Sequence, residues 1–116
     1  MAGQQRLICP SEALVERGDG VRFPLPEMGE RATGFVVRMR GKAYGYINRC
    51  AHVPVELDWE EGRFFDLTRT YLVCSTHGAH YEADTGYCAM GPCKGKSLQP
   101  LKIAEHDGNI YLTLKI

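Results

Sequence analysis

Two short stretches of the chain could hold a metal together, Cys50-Ala51-His52 and Cys74-Ser75-Thr76-His77. Each offers one sulfur and one imidazole. In an extended segment, residues two apart leave the same side of the backbone, so Cys50 and His52 can face one point. Cys74 and His77 are three positions apart and need a turn to converge. The 21 residues from Val53 to Val73 are enough to leave one loop tip, cross a sheet and return beside it. Thiolates and neutral imidazoles at one place make a donor set for a soft or borderline transition metal.

C-x-H followed, about twenty residues on, by C-x-x-H resembles the Rieske [2Fe-2S] family, in which two Cys hold one iron and two His the other. The resemblance continues in His77-Gly78-Ala79-His80-Tyr81. It extends to Thr85-Gly86 with Gly91-Pro92, similar to the family's proline-bearing third loop, and to the closing hairpin Asp107 to Leu112. It implies one [2Fe-2S] cluster bound by Cys50, His52, Cys74 and His77. Such ligation suits a carrier. An all-thiolate cluster is formally a dianion, whereas two imidazoles bring it to neutrality, and an electron is added more easily to a neutral centre. Rieske potentials accordingly lie at roughly −150 to +300 mV against about −400 mV for plant-type ferredoxins. The competing reading is a structural zinc site, but zinc fingers space like ligands together, C-x2-4-C and H-x3-5-H, whereas each half here is mixed.

The resemblance also bears on single positions. High-potential relatives join their ligand loops by a disulfide; Val53-Pro54 and Ser75-Thr76 stand there in this chain. Ala79 occupies the place of a Ser whose hydroxyl reaches a bridging sulfide, so that donor is lost. Tyr81 occupies the place of a Tyr whose hydroxyl reaches a ligand thiolate, so that donor is expected to persist. The expected potential lies between the family's low-potential ferredoxins and its respiratory members. His80 is expected to be an exposed loop residue rather than a ligand.

The remaining cysteines are Cys9, Cys88 and Cys93. Cys88 and Cys93 are close enough for a local bridge, but in a reducing compartment free thiols are expected. Nothing in the sequence gives Cys9 a partner. With 116 residues, 44% hydrophobic and 24% charged, the composition is that of one ordinary soluble domain. Basic and acidic residues balance at 14 each, so no nucleic-acid surface is indicated. No apolar run approaches the ~20 residues of a membrane span, and Leu7-Ile8-Cys9 before Pro10 is far short of the roughly 7 to 15 apolar residues of a signal-peptide core. The expected location is cytoplasmic, which argues against the membrane-anchored respiratory member of the family.

Residues 1–20 read as a polar extension with at most one helical turn after Pro10. A short strand is expected at Val21 to Phe23. From Ala32 to Arg40, Phe35, Val37 and Met39 alternate with Val36, Arg38 and Arg40, the period of a half-buried strand. A two-residue turn at Gly41-Lys42 then returns the chain through Ala43 to Asn48, which delivers Cys50. Thr70 to Val73 delivers Cys74. The insert between them carries Glu56, Asp58, Glu60, Glu61 and Asp66 against Arg63 and Arg69, with Trp59, Phe64 and Phe65. It reads either as a solvated loop with tucked aromatics or as an acidic surface that docks a redox partner. Lys94-Gly95-Lys96 is the one basic cluster near the proposed site. Leu101 to Glu105 and Ile110 to Ile116 form a closing hairpin at Asp107-Gly108, with His106 exposed.

The expected architecture is all-β: a Rieske-like antiparallel sandwich or barrel base, residues 1–116 as one domain, with a small cluster-binding subdomain at residues 49–99. The expected role is a one-electron carrier between a flavoprotein reductase and a terminal oxygenase or other oxidoreductase, and not an enzyme by itself. Two alternatives stay open, a non-catalytic small subunit like that of nitrite reductases and a structural zinc domain.

Overall fold

The computed structural model describes residues 4–26, 29, 32–50, 56–58, 61–74, 78–91 and 95–114. Among the described residues three antiparallel sheets are built from ten strands: β1 Gln4–Pro10, β2 Val21–Pro24, β3 Thr33–Met39, β4 Lys42–Ile47, β5 Tyr71–Val73, β6 His80–Glu82, β7 Cys88–Met90, β8 Pro100–Leu101, β9 Ile103–His106 and β10 Asn109–Leu114. Their orders are β1-β10-β9, β2-β3-β4-β8 and β5-β6-β7. A 3-10 turn spans Ser11–Ala13.

The alternation in β3 is real, but both of its faces are covered. Phe35, Val37 and Met39 enter a core shared with the β5-β6-β7 sheet, while Val36 enters a second core with Cys9, Ile110 and Leu112. The strand expected to be half-buried is thus the middle of the molecule. In the first core Phe35 stacks on Phe64 from the insert, ring centroids 4.0 Å apart, and Tyr46 donates its hydroxyl to the Ala83 carbonyl at 2.8 Å. The insert's aromatics Phe64 and Phe65 do tuck against the domain. Burying such rings contributes roughly 1.5–3 kcal/mol each, which fastens the insert to the base.

The turn between β3 and β4 is Arg40-Gly41, one residue earlier than expected, because Met39 pairs with Lys42. Both turn residues have positive φ, 55° and 76°. That is the geometry matching strand twist, and it needs glycine at the second place. Arg40 tolerates it because the Glu16 carboxylate accepts both turn amides, from Arg40 at 2.6 Å and from Gly41 at 2.7 Å. The segment read as an extension supplies β1, paired along β10 from Gln4↔Leu114 to Pro10↔Asn109. The closing hairpin turns at Asp107-Gly108 as expected, but Leu101 does not share its sheet. Leu101 pairs with Gly45 of β4, and the chain crosses to β10 only from Ile103. His106 is exposed and stacks on Tyr111 at 4.5 Å.

Arg38 fastens these sheets together. It donates to the carbonyls of Leu14, Ser11 and Gly41 and forms a two-pronged pair with Glu105 of β9 at 2.8 and 3.1 Å. The guanidinium bonds hold the Glu105 carboxyl below its usual range against the opposing effect of burial. An acid depressed on folding contributes stability that is present above its unfolded pKa and is lost as pH falls through the folded one. Arg38→Ala is expected to cost about 2–4 kcal/mol at neutral pH. Glu105→Gln should be less stable than wild type at pH 7 and converge with it in acid below the usual carboxylate range, as read by urea unfolding at a series of pH values.

Candidate metal centre

Cys50 comes three residues after β4 and Cys74 one residue after β5, so each is delivered by a strand anchored in the base. They are 3% and 0% exposed and belong to the same core as Tyr81 and Leu57. Neither is a half-cystine. The loop that starts at Cys74 is closed by two main-chain bonds, the Gly78 amide to the Cys74 carbonyl and the Cys74 amide to the Ala79 carbonyl, both 2.8 Å. His52 and His77 lie outside the described residues, as do Ser75 and Thr76.

Tyr81, in the middle of β6, places its hydroxyl 3.2 Å from Cys50 Sγ, with both groups buried. A phenol is a natural donor to a thiolate. Ala79 is fully buried, and a third segment closes on it. Past β7 the chain turns at Gly91, whose φ is +102°; a Cβ there would stand 2.9 Å from the Ala79 Cα and 3.3 Å from the Gly78 carbonyl oxygen. Pro92, Cys93 and Lys94 lie outside the described residues.

Cys88 is disulfide-bonded, which corrects the expectation of a free thiol there. The compartment argument behind that expectation concerns redox poise, whereas Cys88 is fully buried in β7 beside the turn at Gly91. Cys9 is buried in the other core, where desolvation pushes its thiol upward, a setting for packing rather than ligation. His80 is not an exposed loop residue. It sits half-buried in β6, donates Nδ1–H to the Gly78 carbonyl at 2.7 Å and turns Nε2 toward Asp66 at 3.7 Å. Burial works against the Asp66 carboxylate, yet the Thr70 amide, the Thr68 hydroxyl, the Tyr71 amide and His80 together hold it below its usual range.

The donors fit a sulfur-ligated redox centre. Two buried thiols not spent in disulfides are soft ligands, and one has a hydroxyl already at its sulfur. The loop of the other is overlaid by a glycine that leaves no gap.

The model of the Rieske [2Fe-2S] domain matches residues 4–107. The chain therefore belongs to the Rieske [2Fe-2S] domain family, whose members carry the cluster for which the family is named. No curated protein matches it. Among solved structures it is similar to the ferredoxin of carbazole 1,9a-dioxygenase from Nocardioides aromaticivorans IC177, with 19% identity, coverage of 97% of this chain and 99% of that one, and a TM-score of 0.74. It also matches the terminal oxygenase of the same system at 18% identity and a TM-score of 0.77, covering 99% of this chain and 31% of that one. A chain of an oxygenase–ferredoxin complex of carbazole 1,9a-dioxygenase matches at 21% identity and a TM-score of 0.76, with 97% of this chain and 29% of that chain covered. The chain thus spans about a third or less of those longer neighbours. At these identities the likeness is one of fold.

The Tyr81 contact has a measurable consequence. A donor to a thiolate favours the more negative, reduced state. Tyr81→Phe is expected to lower the midpoint potential by on the order of 40–60 mV, the one-electron equivalent of about 1–1.4 kcal/mol. Protein-film voltammetry reads this directly, and an unchanged midpoint would show that the hydroxyl does not act on the centre.

Proposed function

We propose that the protein is a one-electron carrier in which Cys50 and Cys74 hold one iron and His52 and His77 the other, passing electrons from a flavoprotein reductase to a terminal oxygenase. The observation that carries this is the pair of buried cysteines in one core with the Tyr81 hydroxyl 3.2 Å from Cys50 Sγ. The [2Fe-2S] cluster supplies the redox chemistry. The chain supplies soft ligands, a hydroxyl donor and a dry enclosure. The match along nearly the full length of a dioxygenase ferredoxin, and the neighbouring oxygenase–ferredoxin complex, support an oxygenase as acceptor. Among the described residues no helix is long and apolar enough to cross a membrane, and a cytoplasmic reductase–carrier–oxygenase chain is the setting we propose.

The docking surface differs from a simple acidic patch. Glu56 is held by Arg22 at 2.6 Å and Thr33 at 2.9 Å, Asp58 is buried, and the more exposed Glu61 lies 4.0 Å from the same Arg22. Beside Cys50, exposed Arg49 and Lys96 line a cleft of about 370 Å³ with Ile47, Ser97 and Gln99. The charge lining this cleft is therefore basic, and electron delivery to an acidic partner surface should weaken with salt.

The deciding experiment is an electron paramagnetic resonance spectrum of the dithionite-reduced protein beside iron, sulfide and zinc analysis. A rhombic signal with a lower average g value than all-Cys ferredoxins, and iron and sulfide in equal amounts, is the expected result. One zinc and no signal would replace the carrier with a structural zinc domain.

A further inference from the structure

The two ligand-bearing loops are closed by different means. The loop from Cys74 uses the main-chain pair with Gly78 and Ala79. The loop from Cys50 is spanned instead by a side chain, that of Asn48. Its Oδ1 accepts the Leu57 amide at 2.9 Å, and its Nδ2 donates to the Asp58 carboxylate at 3.0 Å. Residues 48 and 57 thus bracket the segment that carries Cys50 and His52. Asn48 is 5% exposed and Asp58 7%.

The bracket is itself anchored. The second Asp58 oxygen accepts the Gly62 amide at 3.0 Å and lies 3.6 Å from Arg22 Nε, and the Gly62 carbonyl accepts the Gly20 amide at 2.7 Å. The Asn48 amide bonds the Thr33 carbonyl of β3 at 2.8 Å. Leu57 is fully buried in the core that contains Cys50.

Desolvating a carboxylate is expensive, and an apolar pair of similar volume would often be as stable. What apolar groups cannot do is fix direction. A carboxamide has an acceptor and a donor in one plane, so it fixes both the approach of Leu57 and the orientation of Asp58. We propose that Asn48 and Asp58 are positioning residues that hold the first ligand loop in register with the second, and so govern the spectrum and the lifetime of the cluster. This inference rests on the ligand assignment above.

The test exploits the polarity of the contact. Asn48→Asp sets two carboxylates against each other. Asp58→Asn forces its amide to face a donor on one side or the other. In the double variant Asn48→Asp/Asp58→Asn, the new carboxylate at position 48 accepts the Leu57 amide and the new amide at position 58, whose oxygen still accepts from Gly62; every hydrogen bond is kept, while the charge moves across the pair and away from Arg22. The readouts are the g values of the reduced holoprotein, the rate of cluster loss to a chelator, and the melting temperature. Each single variant is expected to broaden or shift the g values and to lose its cluster about tenfold faster, the equivalent of one net hydrogen bond. The double variant should return to within about twofold of wild type.

Single variants that melt lower but keep the wild-type spectrum and loss rate would overturn the proposal, as would a folded double variant that restores neither. If a single variant does not fold, Asn48→Gln, which keeps donor and acceptor but displaces them by one methylene, takes its place. An intermediate loss rate supports the proposal and wild-type behaviour overturns it. Wild-type protein that contains no [2Fe-2S] cluster fails earlier and separately, at the ligand assignment.

Discussion

Serine in place of Cys74 is expected to leave a folded chain without iron or sulfide, with no reduced-state resonance signal and with stability lowered by at least about 3 kcal/mol relative to the loaded protein, since a group bound only by the native state stabilises it by mass action. The substitution is small and the position has no exposure, so packing changes little. The loop's closing bonds use the main chain of Cys74, Gly78 and Ala79, which serine leaves in place. What is removed is the soft thiolate, and a serine hydroxyl does not replace it as a ligand to iron. Cys9→Ser is the matched control. Cys9 is also buried, at 7% exposure, but lies in the other core with its thiol pushed upward by burial. That variant should keep its full iron content and lose only about 1 kcal/mol for a buried hydroxyl. Full iron in Cys74→Ser, or its loss from Cys9→Ser, would reassign the ligands.

The contrast between those two cysteines shows which features a sequence displays. Cys50, His52, Cys74 and His77 stand out because their spacings are those of the Rieske signature, and local spacings survive in one dimension. The strand β3 stands out for the same reason, through the alternation of Phe35, Val37 and Met39. Its burial on both faces does not, because Arg38 reads as a solvent-facing residue until β9 brings Glu105 against it. The strand β1 is hidden in a polar prefix whose alternation is poor; it is a strand because β10 offers it an edge, a case of tertiary pairing overriding propensity. The acids of the insert were visible as charge, but only the return of the chain over Asn48 shows that Asp58 is buried. Asn48 is two residues before Cys50, which is a signal of position without a signal of role.

Gly91 is a residue whose type was legible as part of a loop and whose necessity is not. Its φ of +102° is sparsely available to a residue with a side chain, and a Cβ would fall 2.9 Å from the Ala79 Cα. That neighbour is backbone and cannot rotate away. Taken wholly as strain, Gly91→Ala would cost about 2–4 kcal/mol. The cheaper response is for the third loop to lift from Gly78 and Ala79, uncovering the loop that follows Cys74. The expected result is therefore a modest fall in melting temperature together with a several-fold faster loss of the cluster in air, the second effect exceeding what the first would imply. Gly95→Ala separates conformation from contact. Gly95 also has a positive φ, +94°, but nothing lies within 4 Å of where its Cβ would be. It should share the conformational cost and keep the cluster lifetime of wild type. Equal cluster loss from the two variants would mean that backbone strain alone loosens the site; faster loss from Gly91→Ala alone would identify the contact with Ala79 as what keeps the centre enclosed.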